Sequence, residues 1–247
     1  AAVAYPEHYT SGLPITHSLT DGPLWPHRHS VAQIERLRRE PYVFAGQYAQ
    51  RPTPEGGALF RHEHLAVRWT QLPPLSWRAI YADTAQKTGQ RNDFSVFQCW
   101  GRARFGGKAV LIDQVRGKWQ APELLNIAKA FWFKHLTECP HTHGVLRELA
   151  IEDQVSGTGL IQSLARIGIP VRGITRHRDK LTRAMDVIPQ FAVGMVLVPA
   201  DAPWWPAYHE ELLSFTGHGD THDDQVDATI DAVAEMLLGP KSMMDVI

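Results

Sequence analysis

The sequence predicts an α/β protein built on a mixed sheet, with antiparallel hairpins first and parallel strands later, flanked by helices. Early in the main domain, apolar runs are joined by hairpin signals such as Gly106-Gly107. From Pro122 onward, strand-like runs alternate with stretches of helical periodicity, which is the order that parallel β-α units require. The 247 residues are sufficient for one large domain with a substantial core.

Three strand-like runs predict the antiparallel part. The first, "WRAIYADTA", begins at Trp77, and its apolar residues end at Asp83. Residues 93–119 hold two further runs, one on each side of the glycine pair. Because a glycine pair permits the tight backbone turn of a hairpin, we expect these runs to have hairpin connections.

The alternating part begins with the helix "PELLNIAKAFWFKHL", in which proline at an early helical position suits a helix start. Gly168 is expected to close the next helix, Pro189 to end the one after it, and the last helix to run to about Leu238. The expected strands are "GVLRELAIED", "IPVRGIT" and "GMVLVP", and the other expected helices are "SGTGLIQSLARIG", "DKLTRAMDVIPQF" and "WWPAYHEELLSF".

Residues 1–70 are expected to be a linker or tail from an upstream domain, wrapping onto a main domain of residues 71–247. Most of this segment has no sustained period, although a short helical pattern follows Ser30. The Pro- and Gly-rich residues 52–57 indicate a loop near the boundary.

Composition excludes several classes of protein. The formal charge of −1 means that a nucleic-acid partner would need a local basic patch. No apolar run is long enough to predict a membrane span. The two cysteines, Cys99 and Cys139, form no disulfide framework, so we expect a reducing, intracellular setting.

The stretch "GDTHDDQVDATIDA", residues 219–232, concentrates aspartates where the last helix should begin. At 100° per residue, Asp223 and Asp227 lie near the apolar stripe of that helix, whereas Asp224 and Asp231 lie on its flank. A carboxylate near a buried stripe costs several kcal/mol unless it is paired or bound to metal. The alternative is that aspartates in a first turn simply complement the helix dipole.

Further acids close two predicted strands. Asp83 ends the first strand, and Glu152-Asp153 ends the fourth. Glu152 and Asp153 point to opposite faces of a strand, so only one of them can join a site with Asp83. Strand ends beside a helix start are where sites form in open α/β sheets, and carboxylates suit hard cations such as Mg²⁺. The pattern therefore favours a metal pocket suited to phosphodiester hydrolysis.

Four stretches in order, "YADTAQKTGQRNDFSV", "IEDQVSGTGLIQSL", "RDKLTRAMDVIPQFAVGMVLVP" and "HDDQVDA", resemble the nuclease domain of the large terminase subunit of tailed bacteriophages. The preceding "LWPHRHS" and "YVFAGQYAQRPTPEGGALF" resemble the segment that joins that nuclease to an ATPase domain. The resemblance implies an RNase H-like fold and an endonuclease that cuts concatemeric double-stranded viral DNA in genome packaging. It also implies two Mg²⁺ or Mn²⁺ ions.

The resemblance also implies roles for individual residues. Asp83 would bridge both metals, and either Glu152 or Asp153 would be the second ligand, with Asp153 preferred. The ligands on the last helix would be among Asp223, Asp224 and Asp227, with Asp223 and Asp227 preferred. Apart from the resemblance, clustered basic residues would contact phosphates around the acids or else form a solvated face; they are Lys87, Arg91, Arg102, Arg104, Lys108, Arg116, Lys118, Arg176, Arg178, Lys180 and Arg183.

The expected partners are double-stranded DNA, the upstream ATPase domain, the portal protein and the small terminase subunit, in the host cytoplasm. No GxxxxGK[ST] motif occurs, so we expect a nuclease half without ATP hydrolysis of its own. Two alternatives remain open. One is a different RNase H-like nuclease, such as a junction resolvase or an RNA–DNA hybrid nuclease, and the other is a non-enzymatic docking domain of the packaging motor.

Overall fold

A computed structural model describes residues 59–84, 94–137, 143–153, 155–217, 220 and 222–239. Its seven strands are β1 (Arg68–Trp69), β2 (Leu75–Asp83), β3 (Ser95–Ala103), β4 (Ala109–Gly117), β5 (Val145–Glu152), β6 (Val171–Ile174) and β7 (Val196–Pro199). Its α-helices are α1 (Ala121–Thr137), α2 (Val155–Arg166), α3 (Lys180–Ala192), α4 (Trp205–Ser214) and α5 (Asp224–Val233). A 3₁₀ helix spans His62–Leu65, and a π-helical turn, Ala234–Leu238, extends α5.

The strands form one mixed sheet in the order β1-β7-β4-β3-β2-β5-β6. The central strands β2, β3 and β4 are antiparallel, whereas β5, β6 and β7 join through parallel pairs. This arrangement confirms the predicted mixed sheet. Its register places Asp83 opposite Val96 and Val96 opposite Arg116, so these three residues lie at one end of the sheet.

Helices cover both faces of the sheet. Side chains alternate between the two faces along each strand, so each central strand contributes to a core on either side. In β2, Ala79 and Tyr81 pack into a core formed with α3, α4 and α5. Ile80 and Ala82 point the other way, into a core formed with α1 and α2. The central strands are therefore buried on both sides, which explains their nearly continuous apolar sequence.

Residues 59–70, within the segment expected to be a tail, contribute to the sheet and the core. Strand β1 pairs with β7 as a parallel edge strand. Phe60 is fully buried and packs edge-on against Phe191, with ring centroids 5.1 Å apart, and against Phe215 at 6.2 Å. The Ser30 helix pattern and the 52–57 loop lie outside the described residues.

Helix α3 does not end at Pro189, as the sequence predicted, but continues to Ala192. The proline costs the helix one backbone donor, yet the Val193 amide still donates to the Pro189 carbonyl at 3.1 Å. Continuing the helix carries Phe191 into the core. Across the described part of the chain, no helix has the length and apolar character needed to span a membrane.

Candidate functional site

Three carboxylates from three different elements converge at one end of the sheet. Asp83 ends β2 and Glu152 ends β5, and these strands are parallel neighbours that pair up to Ala82 and Ile151. Helix α5 packs across β2 and β3 and brings Asp227 to the same place. The Nη1 atom of Arg176 marks the point of convergence, since it lies 2.8 Å from Glu152 Oε2 and 3.6 Å from oxygens of both Asp83 and Asp227.

Cations from the segment around the start of α3 balance these acids. Arg183 lies 2.5 Å from Asp227 Oδ1 and 3.1 Å from Asp231 Oδ1. Lys180 pairs with both Asp223 and Asp227. These two residues and Arg176 thus offset much, but not all, of the charge of the acidic cluster, which consists of Asp83, Glu152, Asp223, Asp227 and Asp231.

The start of α5 departs from the predicted face assignment. The helix begins at Asp224, and every residue from 224 to 230 is buried. Asp227 is buried as expected, but Asp224, assigned to the flank, is buried too. Asp223, assigned to the buried side, precedes the helix with its side chain 29% exposed. An amphipathic pattern assumes one wet face, whereas this helix is surrounded by protein on all sides.

Glu211 of α4 caps α5 from outside the helix. Its carboxylate accepts hydrogen bonds from the backbone amide of Gln225 at 2.7 Å and from that of Val226 at 3.4 Å. Asp223, the N-cap residue, makes no side-chain capping bond. Glu211 also pairs with Arg116 at 3.0 Å. Thus a neighbouring helix supplies the acceptor that the first turn of α5 requires.

A buried amide network fixes α5 to the sheet. Gln225 accepts from Gln114 Nε2 at 2.5 Å through its side chain and from Gln98 Nε2 at 3.1 Å through its carbonyl. Trp100 and Thr229 both donate to the Gln98 side-chain oxygen. Because these partners lie on β3, β4 and α5, they hold the aspartates of α5 at a fixed height above the strands.

Glu152 and Asp153 diverge as the strand geometry predicted, but the geometry favours Glu152 over Asp153 for the site. The Glu152 side chain is buried against Arg176. The side chain of Asp153 is exposed and accepts a hydrogen bond from the Thr158 hydroxyl at 2.8 Å. The preference for Asp153 rested on likeness of sequence, which does not determine the face on which β5 ends.

The environment shifts the pKa values of two of these acids in opposite directions. Burial raises the pKa of Asp83 well above its ordinary value; the charge of Arg176 opposes the rise, and Asp227 and Glu152 add to it. Burial also raises the pKa of Asp227, but Arg176, Lys180 and Arg183 outweigh it, so the net shift is downward. Opposite shifts in neighbouring carboxylates are typical of functional sites.

The chemistry of the donor set fits a hard divalent cation. Asp83, Glu152 and Asp227 offer only carboxylate oxygens, the ligands that Mg²⁺ and Mn²⁺ prefer, and they come from rigid elements. Their present arrangement holds a guanidinium nitrogen at its centre. Accordingly, within the described ranges no group of three or more acids, histidines or cysteines has metal-binding geometry as it stands.

The predicted DNA-contact residues fall into separate groups. Arg102, Arg104 and Lys108 lie at the opposite end of β3 and β4, because Arg102 is level with Trp77 rather than with Asp83. That is roughly 20 Å or more from the acids along a strand. The structure therefore separates these three residues from the site that they were expected to flank.

The remaining predicted contacts lie nearer the acids. Arg178 is 61% exposed and pairs with Asp186, whereas Arg176, Lys180 and Arg183 are engaged by the acidic cluster itself. Lys87 and Arg91 lie outside the described residues.

Arg116 and Lys118, the other basic residues of the predicted hairpin, lie at the end of β4 that is nearer the acids. Arg116 stacks on the ring of Phe94, with its guanidinium carbon 3.8 Å from the ring centroid, and the Lys118 ammonium lies 4.5 Å from the same centroid. His222 packs edge-on against Phe94 at 5.5 Å. The strand register therefore brings this part of the hairpin, unlike Arg102, Arg104 and Lys108, to the end of the sheet where Asp83 lies.

Comparisons with known proteins agree with this architecture. The family described as "Terminase RNaseH-like domain" matches residues 80–235. No curated protein is significantly similar in sequence. Among solved structures, the large terminase of a thermophilic bacteriophage, in complex with ATP-gamma-S, is 17% identical with a TM-score of 0.56, and the match covers 87% of this chain and 54% of that one. This chain thus spans about half the length of that protein.

Two nuclease domains match over nearly their whole length. The large terminase nuclease of the thermophilic phage G20c, with bound magnesium, is 17% identical with a TM-score of 0.50; the match covers 74% of this chain and 99% of that one. The human cytomegalovirus terminase nuclease domain, soaked with manganese and inhibitor-bound, is 13% identical with a TM-score of 0.53; the coverage is 72% and 95%. At these identities, the similarity shows a shared fold.

Proposed function

The chain belongs to the terminase RNase H-like domain family, and we propose that it is the nuclease of a viral packaging motor. In this proposal it is an endonuclease that cuts concatemeric double-stranded DNA by metal-dependent phosphodiester hydrolysis, with two Mg²⁺ or Mn²⁺ ions as cofactors. The observation that carries the proposal is the convergence of Asp83, Glu152 and Asp227 from β2, β5 and α5 within 3.6 Å of one atom.

The proposed ligands are Asp83, Glu152 and Asp227, with Asp223 and Asp224 as further candidates at the start of α5. Asp83 lies between the other two elements, which suits a bridging role. When bound, the metal ions would activate water and stabilise the leaving oxygen. No covalent nucleophile is then needed from the protein.

The residues around these acids orient them. Arg183 and Lys180 bind Asp227 from the side of α3, and the Gln225 network fixes α5 from the side of the sheet. Each carboxylate thus has its position set by packed, hydrogen-bonded neighbours, which limits the rearrangement needed during reaction. The acids lie on two strands and a helix, which hold side chains more rigidly than loops do and therefore suit such preorganisation.

The DNA backbone is proposed to approach across Arg116, Lys118 and Phe94. Lys118 is exposed on the ring of Phe94, whereas Arg116 on the same ring is largely buried and paired with Glu211. Arg178 adds an exposed cation on the other side. Basic residues on both sides of an acidic centre would hold phosphates without reading sequence. Lys87 and Arg91 remain predicted contacts.

The wider setting is part of the same proposal. An upstream ATPase domain, a portal protein and a small terminase subunit are the proposed partners, and the host cytoplasm is the proposed location. The phage large terminase that was solved with ATP-gamma-S is about twice the length of the part matched here. Residues 1–70 would then form the connection toward the ATPase.

Conversion of supercoiled plasmid to nicked and linear DNA in Mn²⁺ or Mg²⁺ tests the function. We expect cleavage that chelator abolishes and that Asp83→Ala slows by at least about 100-fold, equivalent to about 2.7 kcal/mol of barrier. Asp201→Ala is the matched control, since Asp201 is an exposed aspartate after β7. Chelator-resistant cutting, or equal rates for wild type and Asp83→Ala, would overturn the proposal.

The same assay separates the alternative nucleases. Four-way junctions and RNA–DNA hybrids are offered beside the duplex at equal concentration. A strong preference for either would assign the site to a resolvase or a hybrid nuclease. Absence of cleavage on all three would favour the docking domain.

A further inference from the structure

Arg176 stands at the centre of the acidic cluster. It follows β6, and its side chain is only 10% exposed. Its Nη1 atom faces the oxygens of Asp83, Glu152 and Asp227, the three proposed metal ligands. One guanidinium group therefore occupies the space toward which the ligand carboxylates converge.

Asp231 holds this guanidinium from behind. Its Oδ2 atom accepts from Arg176 Nε at 3.2 Å and from Arg176 Nη2 at 2.8 Å, which is a fork that fixes both position and plane. Asp231 is itself held by Arg183 Nη1 at 3.1 Å. Because the fork uses Nε and Nη2, Nη1 is left to point at the ligands. The contact is thus specifically directed, and is not a loose surface ion pair.

We propose that Arg176 is the resident counter-cation of the metal site: it holds the three ligand carboxylates together without metal and competes with the divalent ion for them. The inference rests on the proposed function, because it takes the same carboxylates to be metal ligands. Arg176 is a positioning residue in this account, since it acts through the carboxylates and need not touch DNA.

Two physical arguments support the proposal. Four carboxylates packed this closely repel one another, so a cation must offset their charge before metal arrives. A guanidinium does not lose its proton in proteins, so its charge persists when the metal enters. A divalent ion at these ligands must then bind close to a fixed positive charge or displace it, and either event weakens binding.

The test compares Mn²⁺ binding by isothermal titration and melting temperature in chelator for the full chain and its variants. Arg176→Gln should bind Mn²⁺ at least about tenfold more tightly than wild type, equivalent to about 1.4 kcal/mol, and should melt at a lower temperature in chelator. Arg176→Lys keeps the charge and should stay within about threefold of wild type. Arg166→Gln, an exposed arginine at the end of α2, is the matched control and should equal wild type.

The outcomes separate this proposal from the proposed function. If wild type binds Mn²⁺ and cuts DNA but Arg176→Gln binds no more tightly, only the counter-cation role is overturned. If no variant binds Mn²⁺ and wild type cuts nothing, both fall. If Arg176→Gln is unfolded in chelator, Mn²⁺ should restore its melting transition. A variant that stays unfolded in saturating Mn²⁺ would make Arg176 a folding residue and contradict the proposal.

Discussion

Glu152 and Asp153 are sequence neighbours whose side chains lie in different surroundings. Glu152 is buried against Arg176, while Asp153 is exposed and hydrogen-bonded to Thr158. We predict that Glu152→Gln slows plasmid cleavage in Mn²⁺ by at least about 100-fold, through loss of a metal ligand. Asp153→Asn should stay within about threefold of wild type and lose about 0.5–1 kcal/mol of stability at most.

The two variants control for each other, because both remove one charge from the end of the same strand. The reverse result, with Asp153→Asn inactive and Glu152→Gln active, would show that β5 ends on the other face in solution. Cleavage rates should be read beside melting temperatures, so that unfolding is not mistaken for lost chemistry.

The stability of the protein should depend on pH through Asp113, which is not part of the candidate site. Burial would raise its pKa, but hydrogen bonds from His135 and Lys134 outweigh burial and lower it below the ordinary value of 3.8. Because the pKa of Asp113 is lower in the folded state than in the unfolded state, its ionised carboxylate stabilises the fold fully above the unfolded pKa of 3.8. This stabilisation is lost as the pH falls through the folded-state pKa. We expect Asp113→Asn to be about 0.5–1 kcal/mol less stable than wild type at pH 5.5.

This difference in free energy of unfolding should shrink by pH 3, as the carboxylate of wild type becomes protonated. Urea unfolding of both proteins in chelator at the two pH values measures it. A difference that is constant or grows on acidification would contradict the assigned ion pairs.

Two glycines of α2 should have opposite effects on stability when each is replaced by alanine. A Cβ at Gly157 would lie 2.0 Å from the backbone carbonyl oxygen of Glu152, which cannot move without moving the proposed ligand. Gly157→Ala should therefore cost about 1–3 kcal/mol and reduce cleavage. A Cβ at Gly159 meets nothing within 4 Å, so Gly159→Ala should stabilise by about 0.5–1 kcal/mol with cleavage unchanged.

The two alanines differ only in what their methyl group meets, so each is the other's control. Thermal melts and plasmid cleavage are sufficient readouts. If Gly157→Ala proved neutral in both assays, the close contact between α2 and the end of β5 would be wrong.

Helix α5 depends on a carboxylate from α4. Glu211 accepts the first amides of α5 and pairs with Arg116. Glu211→Ala removes the cap and the nearer of the two carboxylates that Arg116 contacts in the described part of the chain, leaving Asp224 at 3.9 Å, so we expect a loss of about 2–4 kcal/mol in free energy of unfolding. The adjacent Glu210→Ala, at an exposed position, should change stability by less than about 0.5 kcal/mol.

Urea unfolding with both variants tests this capping role. Equal stability of the two would mean that α5 is held by its packing alone. Because Asp224 and Asp227 lie in the first turn of α5, Glu211→Ala should also weaken Mn²⁺ binding in whatever fraction remains folded.

Across the fold as a whole, the elements with local signals were predictable from the sequence. Runs of strand and helix residues, the hairpin at Gly106-Gly107 and the helix closed by Gly168 all follow from periodicity and turn chemistry. Strand β1 was missed, because two residues carry no period and their pairing with β7 depends on a partner far along the chain. The predicted helix end at Pro189 was wrong for a related reason, because packing of Phe191 in the core stabilises α3 beyond the proline.

The candidate site was predictable in composition but not in arrangement. Strand ends identified Asp83 and the pair at 152–153, yet only the fold shows which of the pair turns inward. The sequence predicted Arg176 to be a phosphate contact. Its four acidic partners could not be predicted, because they come from β2, β5 and α5 and no local pattern connects them. Glu211 was missed because capping by another helix leaves no trace in the capped sequence.

The proposed function requires that carboxylates of β2, β5 and α5 form one divalent-metal site. The most direct measurement is a crystal structure of the chain soaked in Mn²⁺, with anomalous scattering used to locate the metal. We expect anomalous peaks for the bound Mn²⁺ ions in contact with Asp83, Glu152 and Asp227, with the Arg176 Nη1 atom moved from its present position. A fully soaked crystal without a peak there, or with a peak on Asp153 in place of Glu152, would contradict it.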